Sequence, residues 1–157
     1  MSNGSADKKA QLIERITTIL EARLPDGAGA LAADFARVYF DRVPPEDLVD
    51  DDPEDLYGAV LAHWNLVRGV RLGETVVRVY NPTFEEHGWR STHTVLDLVL
   101  PDMPFLVDSV GMELNRHGFT LHRLFHPVVK LASDEHGELA RALPPSAGEG
   151  VALAVMH

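Results

Sequence analysis

Four kinds of residue pattern in this chain could do chemistry, and each has a spacing test. Eight histidines invite a metal reading. If Phe119 to Leu131 is one long strand, His122 and His126 share a face. At about 3.3 Å per residue they then stand roughly 13 Å apart, too far to hold one ion. Glu85, Glu86, His87 and His93 are close in sequence, but none of them falls into an HExxH-type spacing. A bound metal needs several ligands at fixed geometry, so no metal site is expected. The plain expectation is polar loop residues and partly buried, hydrogen-bonded histidines. Ser91-Thr92-His93 would set a hydroxyl and an imidazole on one side of a strand. No third orienting group or oxyanion donor accompanies them, so no catalytic residue is assigned and a polar strand start is expected. Gly27-Ala28-Gly29-Ala30-Leu31-Ala32 spells GxGxxA, the loose dinucleotide fingerprint. That chemistry needs a preceding strand to aim the pyrophosphate at a helix N-terminus. A charged helical stretch precedes it here, so a helix–helix turn is expected and no cofactor-binding residue is assigned.

The strand-to-helix turn Asp102-Met103-Pro104-Phe105 is the candidate effector-binding or interface turn. Free backbone N–H groups at a helix start can hold a carboxylate or phosphate. Asp102 would repel an anion there but could meet an amino group, which makes an amino acid a sensible ligand. Helix capping by Asp102 is the plainer expectation. The acidic run Asp50-Asp51-Asp52 with Glu54 and Asp55 reads as a solvated helix start. Trp64 and Trp89 read as packing anchors.

These residues need elements to position them, and the chain divides near residue 74. Leu12, Ile13, Ile16, Leu20 and Leu24 recur at helical spacing, and Pro25-Asp26-Gly27 ends that helix. Leu31, Phe35, Val38 and Tyr39 mark a second helix that stops at Pro44-Pro45. A third begins with Asp52 as cap, Pro53 in the first turn and two acids after it. Tyr57, Val60, Leu61, Trp64 and Val67 form its apolar stripe. Beyond residue 74 the period changes. Thr75–Tyr80 reads as a short strand. Leu96, Leu98 and Leu100 alternate with Val95, Asp97 and Val99, a period of two. Met103, Val107, Val110 and Leu114 return to helical spacing, closed by His117-Gly118. Phe119–Leu131 is expected to be a long strand, Glu138–Leu143 a third and Val151–Met156 a fourth apolar run. From residue 91 the order is strand, helix, strand, strand, the first part of a split βαβ or ferredoxin-like unit. The fold expected is α+β: an N-terminal helical segment (1–73), then an incomplete ferredoxin-like βαββ sheet (74–157) truncated at its C-terminus. Either more chain, the N-terminal helices or a second subunit must cover that sheet.

Composition narrows the classes. The 157 residues carry 14 Lys and Arg against 24 Asp and Glu, a formal charge of −10. A nonspecific nucleic-acid binder or a binder of anionic membranes needs the opposite sign, so neither partner is expected. With no cysteine, disulfides, thiolate metal sites and a Cys nucleophile are excluded. No apolar window approaches the length of a transmembrane helix. Glu14 and Arg15 interrupt the first apolar stretch, so a secretory leader is not expected and a cytoplasmic location is.

One ordered series goes beyond pattern. Val77–Trp89 (VRVYNPTFEEHGW) runs into Ser91–Leu96 (STHTVL), then Pro101–Ser109 (PDMPFLVDS) and Met112–Gly118 (MELNRHG). Upstream stand Pro53–Gly58 (PEDLYG) and His63-Trp64. Over roughly residues 30 to 131 this resembles the N-terminal region of the large bacterial NAD-specific glutamate dehydrogenases. The resemblance implies a parent enzyme that uses NAD to oxidise L-glutamate to 2-oxoglutarate and ammonia in amino-acid catabolism. It implies that this region is an ACT-like regulatory βαββαβ module, with the catalytic domains downstream in the same polypeptide. The family's catalytic residues have no counterpart among these positions, so the segment alone is expected to be inactive and to bind no cofactor. A homo-oligomer and an amino-acid effector are the further partners implied. ACT modules that bind amino acids usually carry Gly after the Pro of the first strand-to-helix turn. Here Phe105 follows Pro104, which points to a packing or subunit-interface role. The reading is a non-catalytic regulatory or assembly region. The alternatives are a stand-alone amino-acid-binding ACT-like module or a purely structural dimer.

Overall fold

A computed structural model describes residues 3–71, 73–136, 139–144 and 146–156. Three helices come first: α1 (Asn3–Arg23), α2 (Ala28–Asp41) and α3 (Pro53–Arg68), with a single 3-10 turn at Pro45–Asp47. Their starts and stops follow local chemistry. Gly27 adopts φ 79° just before α2, a left-handed conformation open to glycine. Gly29 lets α1 and α2 approach closely, since a Cβ there would lie 2.7 Å from Glu21 Cα. The GxGxxA stretch is thus the helix–helix turn, with α1 before it rather than a strand. Asp52 caps α3 by accepting from the Glu54 N–H at 2.9 Å, with Pro53 in the first turn. Lys9 Nζ donates to the carbonyls of Asp41 and Val43, both at 2.7 Å, satisfying groups that the end of α2 leaves free.

The second part adds β1 (Val76–Tyr80), the short α4 (Phe84–His87), β2 (Val95–Pro101), α5 (Leu106–Arg116), β3 (Val128–Ser133), β4 (Leu139–Leu143) and β5 (Val151–Met156). The strands form one antiparallel sheet in the order β1-β2-β5-β3-β4. Both β2 and β3 run antiparallel to β5, so β2–α5–β3 is a split βαβ with β5 filling the gap. The architecture is the α+β arrangement that the residue pattern predicts, and the ACT-like one that the resemblance implies.

One expectation needs correcting. The long strand from Phe119 is absent: residues 119–127 are irregular and pairing begins at Val128. Pro127 has no N–H to give a ladder, so the strand starts just after it. The order within the sheet is not the order along the chain. The first hairpin strand after β3, β4, lies on the outer edge, and β5 returns to the centre. Gly137 and Glu138, expected in the hairpin turn and at the strand start, lie outside the described residues.

The two faces of the sheet are covered unequally. Val99, Val129, Leu131 and Leu153 face the three N-terminal helices and are fully buried against Phe35, Tyr39, Trp64, Ile16 and Leu20. Burying each such side chain contributes roughly 1.5–3 kcal/mol, so this is the principal core. The opposite face carries α5, where Leu98, Leu100, Leu106, Val107, Val110 and Ala154 pack together. On that same face Val77 and Val79 of β1 are 58% and 64% exposed.

Candidate interaction surface

The tightest polar constellation joins the helices to the sheet. Leu96, Leu98 and Leu100 face α5, so strand alternation turns Asp97 towards the helices. The β1–β2 register sets Arg78 directly opposite Asp97. Arg78 donates to Asp97 Oδ2 from Nη2 at 2.5 Å and from Nε at 3.2 Å. From α3, His63 Nε2 lies 2.9 Å from Asp97 Oδ1. From α2, the Tyr39 hydroxyl lies 2.8 Å from His63 Nδ1. With Nε2 facing a carboxylate, the imidazole proton belongs on Nε2, and the Tyr39 hydroxyl donates to Nδ1. Tyr80 flanks the group, its ring 4.4 Å from the Arg78 guanidinium carbon.

This chain of Tyr, His and Asp has the order of a proton relay, yet it is closed to substrate. His63 and Asp97 have no exposed surface, and Tyr39 has almost none. Burial, then the Asp97 charge, pushes the Tyr39 hydroxyl well above the usual phenol range. Burial raises Tyr80 as well, with Asp97 adding to it and Arg78 opposing. A buried carboxylate is stable only when paired, and these partners do the pairing. The group is a structural latch between two layers. The sequence carries half of its signal: an acid alternating with Val95 and Val99 on an apolar strand face. The partners come from three other elements and needed the register to appear.

The turn Asp102–Phe105 lies at the opposite face, at the start of α5. Asp102 is exposed, and its N–H donates to the Ala152 carbonyl at 3.1 Å. It does not cap the helix, which corrects the expectation from the sequence. The capping position is Phe105, three residues on, with no side-chain cap. The chain needs the intervening Met103 and Pro104 to turn out of β2, which carries Asp102 away from the first free N–H groups. Phe105 holds φ 62° and ψ 16°, a left-handed conformation unusual for a bulky residue. Its side chain is 78% exposed, and Met103 is also largely exposed. The turn keeps a glycine-like backbone while presenting an aromatic ring to its surroundings.

The remaining candidates are dispersed. His122 lies against His93, with ring centroids 4.4 Å apart and the rings tilted by 46°. Ser91–His93 is a bend before β2, in which the His93 N–H donates to Ser91 Oγ at 3.1 Å. His87 lies tilted against the Tyr80 ring and accepts from the Thr83 N–H at 3.1 Å. Among the described residues no three His, Asp or Glu side chains are grouped to hold a metal ion. Trp64 packs on Phe35, and Trp89 sits over Gly58 and against Tyr80. Asp51 pairs with Arg123 at 2.7 Å. Burial, reinforced by the Asp52 charge, raises Asp55, with Arg90 opposing. These contacts pin residues 89–94 and 119–125 to the start of α3. Between them, β1–β2 and α5 lies a groove of about 1190 Å³.

Comparison with known proteins places this arrangement. The family model for the glutamate dehydrogenase ACT1 domain matches residues 35–157. An NAD-specific glutamate dehydrogenase of Halomonas elongata is 40% identical over 139 residues, covering 88% of this chain and 9% of that protein. One of Pseudomonas aeruginosa is 39% identical over 140 residues, with 89% and 9% covered. The chain therefore spans about a tenth of the length of these relatives. No solved structure matches it. Among the described residues no helix is long and apolar enough to cross a membrane.

Proposed function

Because the chain belongs to the ACT1-domain family of glutamate dehydrogenases, we propose that it is the non-catalytic regulatory or assembly region of an NAD-dependent glutamate dehydrogenase. The observation that carries this reading is the match from residue 35 onward to a domain of enzymes about ten times longer. The geometry supports it. The relay-like constellation is sealed in the interior, while the strand-to-helix turn offers exposed apolar side chains. In this reading the parent polypeptide, a cytoplasmic homo-oligomer, oxidises L-glutamate with NAD. The segment transmits packing changes between subunits, as two states of one interface biased by whatever binds them. Its interface side chains are those of the turn Asp102–Phe105. An amino-acid effector would act by favouring one of these states.

The test uses the full-length dehydrogenase. Phe105→Asp keeps a residue that tolerates the left-handed backbone and replaces the exposed ring by a charge. The expected result is a smaller assembly in analytical ultracentrifugation, or an altered response to amino-acid effectors. The turnover of glutamate per dissociated subunit should stay within about twofold. An unchanged assembly with an unchanged effector response would count against the proposal. So would NADH formation from glutamate and NAD by the purified 157-residue chain.

A further inference from the structure

We propose that the outer side of α5, the side turned away from the sheet, packs against α5 of a second copy of this chain, antiparallel and across a twofold axis at Met112. The inference rests on the reading above, in that it requires an oligomer, and it names the partner and the contact.

The first observation is where α5 places its apolar residues. Leu106, Val107 and Val110 pack with Leu98, Leu100 and Ala154 of the sheet. A helix that covers a sheet on one side is expected to be polar on the other. Here Met112 stands on that other side with 69% of its surface in water, and Phe105 stands at the helix start with 78%. Between them in sequence, Ser109 folds its hydroxyl back onto the Phe105 carbonyl at 2.8 Å. A small side chain with its hydrogen bond already made leaves a groove between its larger neighbours.

The second is the order of side chains along the ridges. Residues four apart form a ridge on a helix surface. Asp108, Met112 and Arg116 make one ridge, and Phe105, Ser109 and Glu113 make the next. Asp108 and Arg116 are both exposed. Acid, apolar and base, in that order, complement their own reverse. Two copies packed ridge into groove at about −50°, the commonest helix crossing, lie with these ridges side by side. In the antiparallel sense Asp108 of each copy meets Arg116 of the other, and Met112 meets Met112. That is the reciprocal pairing of a twofold contact. Arg116 is already held in place, because Glu113 accepts from Nε at 3.0 Å and from Nη2 at 2.7 Å. Its Nη1 is the donor left for Asp108 of the second copy.

The third is charge. The chain carries −10 overall, so two copies repel over most of their surface. The ridge on the outer side of α5 is balanced, Asp108 against Arg116, so two copies can meet there without that cost.

The experiment is cysteine cross-linking in the full-length dehydrogenase, read on non-reducing gels. A disulfide needs Cα atoms within about 7 Å of each other. In an antiparallel twofold pair only the residue on the axis meets its own copy. Met112→Cys should therefore convert to a cross-linked dimer under mild oxidation. Asn115→Cys, also exposed on α5, should not. At 1.5 Å of rise per residue it lies about 9 Å from its copy along the helix axes. The protein without either substitution sets the background. Asp108→Arg and Arg116→Asp each bring like charges together twice, and each should slow the Met112→Cys reaction about tenfold. The two reversals combined restore opposite charges and should bring the rate back to within about threefold. Within one helix these two positions are about 12 Å apart, so the recovery comes from a second copy. No cross-link at Met112→Cys, equal cross-linking at both cysteines, or a combined variant as slow as the single ones would each overturn the proposal. An altered assembly in Phe105→Asp with Met112→Cys left uncross-linked would keep the interface reading and remove this pairing.

Discussion

Replacing Asp97 by Asn removes one charge and almost no volume, which isolates what the buried latch contributes. Asp97 has no exposed surface and receives two donor contacts from Arg78, with His63 Nε2 at 2.9 Å on its other oxygen. Removing one partner from a fully buried ion pair costs about 3–5 kcal/mol, since the remaining charge is left without compensation. Arg78 is one-third exposed and can turn its guanidinium to water, so part of that cost is recovered. About 2–3 kcal/mol of destabilisation remains. For a chain of this size 1 kcal/mol shifts the melting temperature by roughly 2–4 °C, so Asp97→Asn should melt about 5–10 °C lower. Circular dichroism melts of the wild type, Asp97→Asn, Arg78→Met and the double variant would give the coupling. Residues in one network should show about 1 kcal/mol or more of non-additivity. A melting temperature within 1 °C of wild type, or strictly additive single effects, would refute the assignment of Asp97 as the centre of the latch.

Two further outcomes test other parts of the structure. Gly58→Ala should lose about 2–3 kcal/mol in urea unfolding, because the new Cβ would lie 2.3 Å from Trp89 Cβ and force the indole off its seat; an unchanged midpoint would show that α3 and residues 88–90 are not packed this way. Alkaline pH should destabilise the fold. Tyr39 and Tyr80 hold their protons above the ordinary phenol value of 10.0, so the unfolded chain releases them first. Their contribution is full below pH 10 and declines as pH rises beyond it. Tyr39→Phe should cost about 1 kcal/mol near neutrality through the lost hydrogen bond to His63, and should make the alkaline decline shallower. An equally steep decline in Tyr39→Phe, followed by unfolding midpoints from pH 8 to 11, would exclude Tyr39 as a source of it.

The chain by itself determined what depends on neighbours in sequence. Asp52-Pro53 sets the start of α3 because a cap and its first turn are three residues apart. The alternation of Val95, Asp97 and Val99 with three leucines fixes β2 and both of its faces, because strand geometry repeats every two residues. The ordered motifs from Pro53 to Gly118 carry the family. The same local reasoning failed at Phe119–Leu131, where β-forming residues are abundant but Pro127 and the available partners decide where pairing begins. It failed at Asp102 too, because a cap depends on where the helix starts in space. Tertiary structure alone decided that β5, not β4, enters the sheet beside β2, and so which apolar row stays open. It alone brought Tyr39, His63, Arg78 and Asp97, from four different elements, to one point. Those contacts are set by strand register and helix packing across up to 58 residues of sequence, the span from Tyr39 to Asp97, and no periodicity within a single segment encodes them.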